Sequence, residues 1–220
     1  MGGSGSGGVG GRYRDVVTTT VGDRLPRGRH GLSREEVEAS QRARMLLGVT
    51  EAMTEKGFVG TSVADVLQRA GVSRETFYQQ FSSKLDCFMA AFDTAAEILL
   101  DRLLGALPPT GTALERFDGA LTAYLDTLAT FPGHARMFLV EVYAAGPEAI
   151  ARRAEVQTLL VDALVALLEV ESAEERTACQ LLVAGVGALV IPPLVEGDPD
   201  GVRALRDPIL ALATSVLDDR

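Results

Sequence analysis

Apolar side chains fall along this chain at steps of three and four, with polar residues between them. That spacing puts apolar groups on one face of a helix, and no segment shows the period of two that a half-buried strand needs. A first helix is expected from Ser33 to about Lys56. Ser33-x-x-Glu36 forms its capping box, Leu46, Val49 and Met53 face inward, and Gly57 stops it. Val63, Val66, Leu67 and Ala70 then make a short apolar face, preceded by Thr61 or Ser62 as N-cap and followed by Gly71, where the chain can turn with positive φ. Ser73 caps a second short helix carrying Phe77 and Phe81 on one side. A long stripe of Leu85, Phe88, Met89, Phe92, Ala96, Leu99 and Leu103 predicts a helix over 83–106, ended by Pro108-Pro109.

The remainder reads as further helices separated by breakers. They span about 112–130, 132–144 from Pro132, 147–170 from Pro147, and 172–191, opened by the capping box Ser172-x-x-Glu175 and closed by Pro192-Pro193. The apolar run 181–195 is too short for a membrane span and contains prolines, so it is expected to be a buried helix. In the last region, 199–217, Val202, Leu205, Ile209, Leu212 and Val216 are spaced 3, 4, 3, 4, which is either an ordinary core face or a seam between subunits. Pro208 implies a kink there, or a restart with Asp207 as N-cap. The pattern as a whole predicts an all-α fold.

Two short helices joined by a turn containing Gly71 make a helix-turn-helix, whose second helix enters the DNA major groove. The open face of that helix carries Arg74, Thr76, Tyr78, Gln79 and Gln80. Arg and Gln can pair with base edges, while Ser, Thr, Tyr and Lys reach phosphates. Gly71-Val72-Ser73, Phe77-Tyr78-x-x-Phe81 and Ser83-Lys84 together resemble the signature of TetR-family transcriptional regulators, with the likeness running from about Glu38 to Leu99.

The resemblance implies a three-helix DNA-binding head over 33–82. Over 83–220 it implies a helical effector-binding and dimerisation domain, and it implies a repressor released from its operator by a small effector. The implied DNA contacts are Thr61, Ser73, Arg74, Thr76, Tyr78, Gln79, Gln80 and Lys84. Tyr78 and Lys84 match the family's backbone-contacting positions, while Glu75 departs from the small or basic residues common at its position. Dimerisation through the last two long helices would use Leu181, Leu182, Leu205, Ile209, Leu212 and Val216.

Charge sharpens this division. The chain carries a net charge of −9, which alone argues against a DNA binder. Residues 12–90, however, hold 12 Lys/Arg against 10 Asp/Glu, and residues 91–220 hold 9 against 20, so the acidic excess lies in the second part. Residues 1–32 read as a flexible Gly-rich tail and a basic arm. Arg12, Arg14, Arg24, Arg27, Arg29 and His30 form either a solvated arm or one that reaches the minor groove. There is no charged segment followed by an apolar one, as a signal peptide would have, and a cytoplasmic setting is expected.

Catalytic chemistry finds little support. His30 and His134 are the only histidines, neither with a triad-like set, and His134 reads as a surface residue in a helix's first turn. Cys87 and Cys179 lack metal spacing, and Cys87, beside Leu85 and Phe88, reads as a buried, inert thiol. No cofactor is implied. Met89, Phe92, Phe117, Tyr124, Phe131, Met137, Phe138 and Tyr143 either pack the core or line an adaptable apolar pocket for an effector. No charged residue in these helices singles itself out as a ligand partner. The expected partners are double-stranded operator DNA, a small-molecule effector and a second copy of the chain, and no membrane. The rival classes are a helical ligand-binding protein without DNA-binding activity and an all-helical enzyme.

Overall fold

The computed structural model describes residues 33–106 and 110–218, with side chains as far as Thr214. The tail and arm of residues 1–32 and the expected stop at Pro108-Pro109 lie outside the described residues. Among the described residues every regular element is helical. The chain forms two compact units that divide between Ile98 and Leu99.

The first unit is built from α1 (Arg34–Gly60), α2 (Val63–Ala70), α3 (Arg74–Gln80) and the first part of α4 (Lys84–Ala106). Ser33 and Glu36 close the expected capping box, and Ser62 and Asp65 close a second one on α2. Gly57, at φ 68°, breaks α1 where the sequence places its end, and the residues beyond it add one more turn. Gly71 takes the left-handed conformation at φ 62° and returns its N–H to Leu67 O, which satisfies a carbonyl at the end of α2. Gly48 lets α1 and α2 approach, since a Cβ there would lie 3.2 Å from Val66 O and 3.3 Å from Arg69 Cβ. Met45, Val49, Met53, Val66, Phe77, Phe81, Phe88 and Phe92 fill the core of this unit.

The second unit comprises the end of α4 with α5 (Ala113–Thr130), α6 (Pro132–Arg136), a π-helical turn (Met137–Glu141), α7 (Val142–Ala145), α8 (Pro147–Leu167), α9 (Ala173–Leu189), α10 (Ile191–Glu196), α11 (Pro199–Ala204) and α12 (Arg206–Asp218). Arg206 ties α12 to α5 through Asp118 at 2.5 Å and Thr122 at 3.1 Å, and Arg203 ties α11 to Asp126 at 2.9 Å.

Three expectations are corrected here. The helix over 132–144 is interrupted by the π turn, whose wider winding buries Met137, Phe138 and Leu139 in succession. Pro192 and Pro193 do not close a helix. They sit in the first turn of α10, where the missing N–H has no intrahelical partner to lose, and the chain breaks at Val190 instead. The last region likewise breaks at Leu205, with Asp198 capping α11 through Gly201 N at 2.8 Å, and Pro208 falls within the first turn of α12 without kinking it.

The run 181–195 differs from expectation in burial. Only one stripe of it, with Gly187, Val190 and Leu194, turns into the core. Leu181 is 70% exposed and Leu189 52%, because the helix is apolar around most of its circumference and one chain covers one side of it. The segment Ala173–Glu196 is long and apolar enough by length and composition to cross a membrane, but the break at Val190 and the paired prolines divide it.

Candidate DNA-reading surface and helical cavity

The reading surface begins with what anchors α3. Phe77 and Phe81 are buried with their rings 5.6 Å apart, and Arg42 lies over Phe81 at 4.5 Å. With that side of a two-turn helix fixed in the core, the opposite side must face solvent. Ser73 caps the helix through Thr76 N at 3.1 Å, and its hydroxyl also lies 2.9 Å from that of Thr76. Arg74, Tyr78 and Gln79 are exposed side by side, with the Arg74 guanidinium 5.4 Å from the Tyr78 ring centroid. Gln80 is half-buried and donates to Glu38 O at 3.2 Å. Ser73, Arg74, Thr76, Tyr78, Gln79 and Gln80 are thus brought onto one short segment.

Thr61 and Lys84 also bond within the head. Thr61 is buried and donates its hydroxyl to Gly57 O at 2.7 Å. Lys84 is half-buried, with its ammonium 4.1 Å from the Phe58 ring centroid, and donates to Phe58 O at 2.6 Å and Thr61 O at 2.8 Å. Burial pulls its pKa down. These bonds satisfy carbonyls at the end of α1 and in the loop before α2, so both side chains help to shape the head. Cys87 is buried, and loss of hydration pushes its thiol up to about 12, leaving no thiolate at neutral pH.

In the second unit, α5, α8, α9, the π turn and the end of α4 line a partly open cavity of about 430 Å³, within the ~300–1,000 Å³ usual for ligand sites. Phe117, Tyr124 and Phe138 line it, as do Leu103, Leu121, Leu160, Leu164 and Val186. The other aromatic and Met residues of the sequence reading lie elsewhere. Met89 and Phe92 belong to the first unit. Phe131 stacks beneath Arg102 at 4.8 Å and edge-on to His134, and Met137 is buried in the core. Tyr143 is exposed under Arg153. His134 is half-buried rather than on the surface, and burial pulls its imidazole down to about 4.

Sequence reasoning missed Arg116, Arg153 and Gln157, which also border the cavity. For Arg153 and Gln157 the one signal was their spacing of four, which puts both on one face of α8.

A second space of about 270 Å³ lies between α9 and α12 and brings together Leu181, Leu182, Ile209 and Leu212. Ile209 is buried in the core, Leu182 is half-buried, and Leu181 and Leu212 stand out at 70% and 58% exposure. Leu205 is half-buried outside this space, and the Val216 side chain lies outside the described residues. Among the described residues no group of three or more His, Cys, Asp or Glu side chains could hold a metal.

With this geometry in place, comparison with known proteins is specific. Residues 49–91 match the model of the bacterial regulatory proteins of the tetR family. The chain is similar to the HTH-type transcriptional activator FasR of Mycolicibacterium smegmatis, 24% identical over 181 residues, which are 82% of this chain and 78% of that protein. Its fold resembles a TetR-like transcriptional regulator from Rhodococcus sp. RHA1, with a TM-score of 0.66 and 19% identity over 87% of this chain and 99% of the other. It also resembles the transcriptional regulator FadR from Bacillus subtilis in complex with stearoyl-CoA, at 0.65 and 18% over 77% and 95%.

A head that buries two aromatic anchors so as to present Arg74, Tyr78 and Gln79 is that of a helix-turn-helix, DNA-binding transcriptional regulator. Residues 49–91 match the tetR-family model, and the chain has the fold of TetR-like transcriptional regulators.

Proposed function

We propose that the chain is a homodimeric, cytoplasmic repressor that leaves its operator when a small, mostly apolar effector fills the cavity of the second unit. The observation that carries this reading is that cavity, about 430 Å³ of largely hydrocarbon-lined space in a unit that has no part in the reading surface. A ligand's hydrocarbon chain leaves water and gains dispersion contacts when such a lining surrounds it. The stearoyl-CoA in the name of the similar Bacillus subtilis protein supports a chain-like effector.

Arg74, Thr76 and Gln79 read bases, while Tyr78 contacts the backbone. A second copy covers the exposed apolar side of α9 and α12 around Leu181 and Leu212. Ligand and DNA then compete through the separation of the two heads, which must match major grooves ~34–36 Å apart or a multiple of that distance. Helix α4, counted partly in each unit, is the element through which a shift in one reaches the other.

Selection of bound DNA from a random pool tests the reading. The expected result is an enriched, two-fold symmetric sequence whose binding weakens with salt. A pool that stays random through successive rounds would favour the helical ligand-binding protein without DNA-binding activity.

A further inference from the structure

We propose that the cavity of the second unit takes an amphiphile whose apolar chain ends in an anionic oxygen headgroup, and that Arg153 holds that headgroup. The inference rests on the reading of the cavity as an effector site and adds the chemistry of the head.

Two arginines border the otherwise apolar space, and they are not equivalent. Arg116 pairs with the Glu169 carboxylate at 3.2 Å, so its charge is offset. Arg153 has no carboxylate partner among the described residues. Its Nη1 donates to the Gln157 amide oxygen at 3.2 Å, and its guanidinium lies 5.3 Å from the Tyr143 ring centroid. An amide and a ring hold the guanidinium in place without cancelling its charge. The Nε atoms of both arginines are buried without a hydrogen-bond partner, but only at Arg153 does the full positive charge accompany the spare donor.

Tyr124 borders the same end and feels the Arg153 charge. Burial nevertheless pushes its phenol up to about 12, so it keeps an O–H to donate at neutral pH. Arg116 and Tyr124 share one face of α5 two turns apart, ~12 Å along the axis at 1.5 Å per residue. The cavity therefore has a direction, with an uncompensated cation and a phenol at one end and hydrocarbon with a neutralised pair at the other. A carboxylate or a phosphate monoester fits the first end through charge-assisted hydrogen bonds, and its chain extends toward Leu164.

Calorimetric titration with dodecanoate, dodecyl phosphate and dodecanol, each below its aggregation concentration, tests the assignment on the full chain. The wild type is expected to bind at least one anion on the order of tenfold or more tighter than the alcohol. Tighter dodecanoate binding identifies a carboxylate head, and tighter dodecyl phosphate binding a phosphate head.

Arg153→Met should abolish the preference while dodecanol still binds, Arg153→Lys should restore part of it, and Arg116→Met should retain it. Equal binding of all three compounds by the wild type would overturn the headgroup assignment and leave the cavity reading standing. No binding of any of the three would overturn both. Loss of the preference in Arg116→Met but not in Arg153→Met would overturn the placement of the head. The wild-type comparison and Arg153→Lys decide the question even if Arg153→Met does not fold.

Discussion

The two units use apolar residues in opposite ways. The first spends its large side chains on itself: Met45, Met53, Phe77, Phe81, Phe88 and Phe92, all between positions 45 and 92, are fully buried. Its polar groups are also closed locally, by the capping boxes at Ser33 and Ser62, Arg44 on Ala70 O at 2.8 Å and Lys84 on Phe58 O and Thr61 O. The second unit leaves a hydrocarbon-lined cavity inside and a row of leucines outside. A rigid, self-sufficient head suits reading a fixed DNA surface, since loose contacts cost specificity. Apolar surface offered to a ligand or a partner suits a unit whose stability depends on what binds it.

The comparison breaks most visibly if the outer leucines need no partner. Leu181→Glu with Leu212→Glu should place unpaired charge in the covered face and remove ~3–5 kcal/mol of association, turning a dimer into a monomer by light scattering. A double variant that stays dimeric puts the interface elsewhere. In the head, Phe77→Ala should cost ~3–5 kcal/mol of stability through the cavity it leaves, read by denaturant unfolding, with DNA binding lost in parallel. Retained operator binding by that variant would show that the reading surface does not depend on its aromatic anchor.

Arg74→Ala should be milder, ~1–3 kcal/mol on the operator and much less on random DNA, by fluorescence anisotropy. Equal losses on both would make Arg74 a phosphate contact.

The smallest effect sharpens the contrast through pH. Burial holds the His134 imidazole at about 4, below its ordinary 6.5. In the unfolded chain it takes a proton more readily, so the stabilisation is present above pH 6.5 and declines as pH falls toward 4. Between pH 7 and 5.5 the loss should be roughly 1 kcal/mol, and His134→Gln should flatten it.

What could be read from the chain follows the range of the interactions. Helix caps and the turn at Gly71 depend on neighbours within four residues, so Ser33, Ser62, Ser73 and Gly71 stand where the pattern puts them. The internal bonds of Thr61 and Lys84 were not legible because their partners, Gly57 O and Phe58 O, are carbonyls that any residue supplies, leaving no mark in the sequence. The cavity was only partly legible. Phe117, Tyr124 and Phe138 look the same in sequence as Phe92 and Met137, which pack the cores. Whether an aromatic fills space or borders it depends on how far apart the helices stand. Periodicity marked the apolar faces of α9 but not which of them packs within the chain, so the run from Leu181 to Val195 read as buried throughout.

The central claim is that filling the cavity loosens the head's hold on DNA. Its most direct measurement is the affinity of the selected operator, by anisotropy, with and without saturating ligand from the amphiphile series above. The account expects ligand to weaken operator binding by about 5- to 150-fold, the range of ~1–3 kcal/mol of coupling, and operator to weaken ligand binding by the same factor. Operator affinity that is unchanged or raised by a ligand shown to occupy the cavity would contradict it.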